Sequence, residues 1–275
     1  MVLFLWAASA SAQGDAKRGL YISKAAGCLG CHTESKSNAQ PYAGGRPLTT
    51  PFGTFFGPNI TPDASAGLGR WTEQDFIRAL REGRRPDGAH YFPAFPYGSF
   101  TRITDQDLRD LWAYLRSLPP SNRANQPHQL RFPFAWRWPL WGWKLLFFTP
   151  GPFTPDPNKD QVVNRGAYLV NALGHCGECH TPRNFLGGLK RQRHLAGSKL
   201  GENLVAPNLT PARQQKNTDR DLKELLQTGM TAEGDVLSEA MAEVVQNTTS
   251  QLTPQDLDAL IAYLRSLPAL PDEPK

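Results

Sequence analysis

This 275-residue chain carries the same text twice. Arg18-Gly19-Leu20-Tyr21 returns as Arg165-Gly166-Ala167-Tyr168, and Cys28-x-x-Cys31-His32-Thr33 returns as Cys176-x-x-Cys179-His180-Thr181. Pro58-Asn59-Ile60-Thr61-Pro62 recurs as Pro207-Asn208-Leu209-Thr210-Pro211, and Ala113 to Pro119 recurs letter for letter as Ala262 to Pro268. A self-similarity held at an offset near 148 residues means two tandem domains of one kind, each large enough for a compact core. They are expected over 13–120 and 161–268, with a connecting segment over 121–160 and a short tail over 269–275. The connector is rich in Pro and Trp, and its Pro133, Pro139, Pro150 and Pro152 forbid one continuous helix. It is expected to wrap across both domains and to use its tryptophans mainly as filling between them, rather than to dock a partner or a membrane.

Within each copy the apolar period is helical. Leu108, Leu111, Trp112, Leu115 and Leu118 follow i, i+3, i+4, i+7 and i+10, and Leu257, Leu260, Ile261, Leu264 and Leu267 repeat that stripe. Thr104-x-x-Asp107 and Thr253-x-x-Asp256 read as N-caps of these helices. Thr72-x-x-Asp75 and Thr218-x-x-Asp221 open a shorter helix in each copy, ending near Gly83 or Gly229, and a third helix precedes each cysteine pair. No alternating strand pattern stands out, so the fold class is mostly α with long loops.

The apolar stretch Val2 to Ala10 is far shorter than the roughly 20 residues of a spanning helix. With the small-x-small triplet Ala10-Ser11-Ala12 behind it, residues 1–12 read as the remnant of a secretory signal peptide. With 40% hydrophobic and 20% charged residues, the remainder has the composition of a folded domain. The formal charge of +5 comes from scattered Lys and Arg without a dense run, which speaks against nucleic acid.

All four cysteines fall in two C-x-x-C-H motifs, Cys28-Leu29-Gly30-Cys31-His32 and Cys176-Gly177-Glu178-Cys179-His180. Thiols three positions apart match the two vinyl groups of haem, and the adjoining His is placed to bind the iron. A zinc site would have to join two motifs that the repeat assigns to separate domains. A redox dithiol belongs with βαβ patterning, which is missing, and disulfides, which spacing alone does not dismiss, would leave both histidines as coincidence. Two covalent c-type haems account for Cys28, Cys31, His32, Cys176, Cys179 and His180 together, and their propionates would offset most of the positive charge.

With these motifs the chain resembles class I cytochromes c, and within them the multi-haem cytochrome c subunits of periplasmic alcohol, sugar and sugar-acid dehydrogenases. The resemblance runs through Asn59-Ile60-Thr61-Pro62-Asp63, Gly69-Arg70-Trp71-Thr72, Arg78 to Gly83, Pro93-Ala94-Phe95-Pro96-Tyr97 and Ala113-Tyr114-Leu115. It implies two tandem cytochrome c-like domains in which the Pro58 and Pro207 carbonyls receive the proximal histidines His32 and His180. It also implies a distal Met at the position that Phe95 holds in the first copy. Its counterpart in the second copy is Met241, the expected sixth ligand of haem 2, while Met230 stands opposite Arg84. Phe95 cannot bind iron, so haem 1 is either five-coordinate or takes another group, with His90 nearest in sequence and His128 in the connector a weaker candidate. Met/His ligation tends to raise a haem's potential, so electrons are expected to pass from haem 1 to haem 2. Trp71, Arg70 and Arg183 could reach propionates, and His175 and His194, which lack repeat partners, read as surface or haem-edge residues.

The expected function is that of a periplasmic dihaem electron carrier. It would take electrons from a dehydrogenase and deliver them to another cytochrome, a quinone-linked complex or an oxidase, with at most peripheral membrane contact. The alternative is a dihaem enzyme, peroxidase-like or thiosulfate-oxidising, with its chemistry at haem 1.

Overall fold

A computed structural model describes residues 13–201, 204–237 and 239–272; the expected export signal at 1–12 lies outside the described residues. In the first half the Asp15 side chain accepts from the amides of Lys17 and Arg18 and so opens α1 (Ala16–Ala25), which leads into α2 (Cys28–His32). An antiparallel hairpin of β1 (Pro47–Thr50) and β2 (Gly53–Phe56) follows, then α3 (Glu73–Glu82), α4 (Tyr97–Phe100) and α5 (Asp105–Arg116). The connector adds β3 (Gln129–Leu130) to the free edge of β2 and forms α6 (Pro139–Phe147). The second half runs from α7 (Gln161–Tyr168), extended by a π-helical turn over Leu169–Leu173, to α8 (Gly177–His180) and a pair of two-residue strands, β4 (Ser198–Lys199) and β5 (Val205–Ala206). It ends with α9 (Pro211–Gln214), α10 (Asp219–Thr228), α11 (Glu239–Asn247) and α12 (Pro254–Arg265). The strands escaped the sequence reading because two to four residues are too few to display alternation. No helix among the described residues is long and apolar enough to cross a membrane.

The expected helix signals act as read. Thr72 and Asp75 close a full capping box on α3, as do Thr218 and Asp221 on α10, and Gly83 (φ +61°) and Gly229 (φ +78°) end those helices in the left-handed region. In α5 and α12 the threonines cap as expected, accepting from the amides of Asp107 and Asp256. The carboxylates, however, leave the cap for a different partner. Asp107 accepts from Arg18 of its own half (3.1 Å) and from the Tyr168 hydroxyl of the other half (2.5 Å). Asp256 reciprocates, accepting from Arg165 (2.6 and 2.8 Å) and from Tyr21 across the junction (2.5 Å).

This explains the repeated Arg-Gly-x-Tyr. The Arg grips the capping aspartate of its own long helix, and the Tyr crosses to the aspartate of the other. Between them Gly19 and Gly166 let α1 lie against α5 and α7 against α12, since a Cβ there would overlap the carbonyls of Asp110 and Ala259. Leu108, Leu111 and Leu115 of α5 and Leu257, Leu260 and Leu264 of α12 are buried, and a single apolar cluster runs through both halves, joining Ile22 and Ala25 to Tyr168, Leu169 and Leu173. The two domains therefore share a core at their junction.

Each crossing hydroxyl donates to a charged carboxylate, so Tyr21→Phe and Tyr168→Phe are each expected to cost about 1–3 kcal/mol. Burial pushes the Asp256 carboxyl up, but hydrogen bonds from Arg165 and Tyr21 outweigh it and hold the group below the usual carboxylate range. Its contribution is thus present above about pH 4 and lost as pH falls through the lowered folded-state value. Urea unfolding of the haem-loaded protein at pH 7 and pH 3 should show the Tyr21→Phe deficit at the higher pH and a smaller one at the lower.

The connector does span both halves, but of its four tryptophans only Trp143 packs between them, while Trp136, Trp138 and Trp141 face solvent. Lys144 of α6 is buried and donates to the carbonyls of Glu82 and Gly83, which close α3 (2.6 and 2.8 Å), and Arg137 donates to the His90 carbonyl (2.7 Å) while covering the Phe92 ring. The Trp143 indole reaches the Leu186 carbonyl in the second half (2.9 Å). With the cations turned inward, the opposite side of α6 faces solvent: Trp136 is 50% exposed, Trp138 75% and Trp141 62%. Leu140 joins Phe55 and Phe92 in a small second cluster that packs the connector on the first half.

Candidate functional site

Each C-x-x-C-H motif occupies a helical turn behind the first helix of its half, so its two thiols stand one turn apart on the same side. The four cysteines form no disulfide. Burial pushes the Cys28 and Cys176 thiols up to about 12, and raises Cys31 and Cys179 as well. Such thiols are poor thiolates, which speaks against redox cycling.

The histidines are the most informative groups. His32 Nδ1 lies 2.7 Å from the Pro58 carbonyl and His180 Nδ1 lies 2.7 Å from the Pro207 carbonyl. A carbonyl only accepts, so each Nδ1 carries the proton and each Nε2 presents a lone pair. Burial lowers both imidazole pKa values despite that hydrogen bond, keeping the rings neutral. A neutral imidazole with Nδ1 anchored and Nε2 free beside two buried thiols is the donor set that a c-type haem requires. These residues fit the group.

The anchoring carbonyls are held by residues whose role the sequence reading missed. Asn59 is buried, donates to the carbonyls of Ser121 and Arg123 (2.8 and 3.1 Å), and accepts from the Thr61 amide and hydroxyl (3.0 and 2.7 Å). Asn208 does the same with Leu270, Asp272 and the Thr210 amide. The residues after Pro120 and after Pro268 thus strap down the loop that carries the His acceptor. Thr33 and Thr181, next to the proximal histidines, accept from the amides of Tyr42 (3.0 Å) and Leu195 (2.9 Å). Those two residues sit at φ +63° and +60°, a conformation costly for side chains of their size and fixed at matching places in both halves. The signal was available: Asn59 and Thr33 are copied in the repeat as Asn208 and Thr181.

The residues expected on the distal sides have different surroundings. Phe95 packs against Tyr91, Tyr97 and Phe100 with ring centroids 5.2, 6.5 and 5.8 Å away. His90 has Lys144 and Arg84 as its charged neighbours, and its Nδ1 is buried without a hydrogen-bond partner. His128 is engaged in the second cluster, where Nδ1 accepts from the Phe56 amide and the ring packs on Phe55 and Phe92. In the second half Met230 is 45% exposed in a turn, whereas Met241 is half-buried on α11. That helix lies against α2 of the first half, where Glu243 pairs with Arg46 (2.7 Å). In return, Ser99 of α4 donates to Glu178 inside the second motif (3.0 Å), and Phe100 packs on His175 (5.3 Å). His175 and His194 are half-buried. Arg183 is committed to Glu178 and the Gly187 carbonyl. Burial raises the Cys31 thiol most, and Cys179 of the other motif adds a smaller upward push.

The comparisons with known proteins follow this duplicated geometry. The family model for cytochrome c matches residues 16–119 and again 163–268. The chain belongs to the cytochrome c family. Its two regions carry two c-type haems, and it is an electron-transfer cytochrome. This cytochrome is 45% identical over 94% of its length to a diheme cytochrome c-type protein of Cereibacter sphaeroides, of which it covers 87%. It is 40% identical to the fructose dehydrogenase cytochrome subunit of Gluconobacter japonicus, over 92% of its own length and 52% of that subunit. The cytochrome c subunit of the quinone-dependent alcohol dehydrogenase of Gluconobacter oxydans is 38% identical over 93% of this chain and 55% of the subunit. The cytochrome thus spans about half the length of these dehydrogenase subunits.

Proposed function

We propose that Cys28 and Cys31 hold one haem with His32 on its iron, and that Cys176, Cys179 and His180 hold the other with Met241 as the sixth ligand. Residues 13–120 and 161–268 form the two haem domains, joined by 121–160, and the chain works in the periplasm after export. It receives electrons from a dehydrogenase of an alcohol, sugar or sugar acid and passes them to a respiratory acceptor. The single observation that carries this reading is the matched pair of His Nδ1 to Pro carbonyl hydrogen bonds, one in each half.

When bound, the haems supply one-electron chemistry. The chain's own residues fix ring orientation through Pro58 and Pro207, keep both imidazoles neutral, and exclude water with the aromatic group around Phe95. Because Phe95 offers no ligand where the second half offers Met241, haem 1 lies at the lower potential, and electrons run from the first half to the second. Mixing the oxidised haem-loaded protein with a quinoprotein or flavoprotein dehydrogenase and its substrate is expected to reduce both haems. Absence of reduction, together with sustained turnover of peroxide or thiosulfate that His90→Ala abolishes, would favour an enzyme at haem 1.

A further inference from the structure

The connector leaves an apolar face uncovered that the electron-carrying role does not use. Trp136, Trp138, Trp141, Leu145 and Leu146 all point outward, the two leucines 69% and 70% exposed. Trp138, Trp141 and Leu145 fall at i, i+3 and i+7, so they form one stripe along α6. Beside them the turn Asn184–Gly187 carries Phe185 at its tip, 93% exposed. The two elements form a continuous surface: the Trp143 indole donates to the Leu186 carbonyl, and Arg191 donates to the Phe147 carbonyl (3.3 Å).

The charge of this surface has one sign. From Leu111 to Pro155, and from Cys179 to Gly201, there is no Asp or Glu. Arg131, Lys190 and Arg191 are exposed around the aromatic face. The acids at its border are neutralised in place, Asp87 by Arg85 (3.1 Å) and Glu178 by Arg183 (2.6 Å). Exposed Trp, Phe and Leu ringed by cations and lacking acids match the interfacial layer of an anionic bilayer, where indoles settle at headgroup depth and each nearby cation adds about 1 kcal/mol.

We propose that the outward face of residues 132–146, together with the Phe185 turn, seats this cytochrome on the headgroup region of an anionic phospholipid bilayer. Lys144 and Arg137 make this possible by anchoring α6 to the carbonyls of Glu82, Gly83 and His90, so that its aromatic edge is presented rigidly.

Flotation of the haem-loaded full chain with vesicles tests it. Vesicles of phosphatidylglycerol and phosphatidylethanolamine are expected to carry the protein at low ionic strength, phosphatidylcholine vesicles at least tenfold less, and added salt should release it. Trp138→Gln/Trp141→Gln and, separately, Phe185→Ser should each reduce flotation with the anionic vesicles, the double variant at least tenfold, with the visible haem spectrum unchanged. Failure of the unaltered protein to float with anionic vesicles, or flotation undiminished in both variants, would overturn the proposal. Retention of the lipid-free protein by a dehydrogenase through these same residues, without vesicle binding, would also overturn it and assign the face to a protein partner. None of these results depends on which donor reduces the haems.

Discussion

A chain in which Cys176 and Cys179 are both alanine is expected to emerge from a haem-attaching host with one haem instead of two. The two thiols lie one turn apart beside a histidine whose Nδ1 is held by Pro207, so removing both sulfurs removes every covalent hold on that haem while leaving the first motif intact. Intact mass should fall by one haem, and the haem-to-protein ratio should halve. The effect should extend beyond composition. An unfilled apolar site loses the contacts its lining was shaped for, at a cost that grows with the cavity. Since the apolar cluster is continuous across the junction, the remaining domain should also unfold at lower denaturant. Two haems per chain in this variant would refute the attachment sites.

The second large effect concerns potential. Met241→Ala is expected to lower the midpoint of haem 2 by on the order of 0.1 V, a modest part of the roughly 0.8 V range that axial ligands control. The mirror-image change, Phe95→Met, should raise haem 1 by a comparable amount. Phe95 is surrounded by Tyr91, Tyr97 and Phe100, so a methionine of similar bulk should fit for under about 1.5 kcal/mol. A spectroelectrochemical titration resolves both. In the Phe95→Met protein the two midpoints should converge; in the Met241→Ala protein both haems should lie low. A haem 2 midpoint that Met241→Ala leaves unmoved, but Met230→Ala shifts, would reassign the ligand.

The sequence revealed what is local or repeated. Helix caps at Thr72 and Thr218, glycine stops at Gly83 and Gly229, and the two haem-binding motifs depend on residues within a few positions of one another. The Pro58 and Pro207 acceptors were found by resemblance, and the geometry agrees. What escaped depends on neighbours far away in the chain. Asp107 and Asp256 look like capping-box partners in sequence, yet their carboxylates are taken by Tyr168 and Tyr21 from the opposite half, a choice that no local pattern encodes. Asn59 and Asn208 read as ordinary turn residues until the strands of chain behind Pro120 and Pro268 are seen to close over them. Trp136, Trp138 and Trp141 escape the expected packing because two inward cations, Lys144 and Arg137, fix the orientation of the segment, and periodicity carries no information about which face a tertiary hydrogen bond will choose.

The apolar core shared by the two halves has a kinetic consequence. Where two separate carriers must meet before they exchange charge, dilution slows them; here the gap between the paired centres is built into one folded body. Internal exchange should therefore follow first-order kinetics at any protein concentration, leaving throughput to be governed by encounters at the outer ends of the pair.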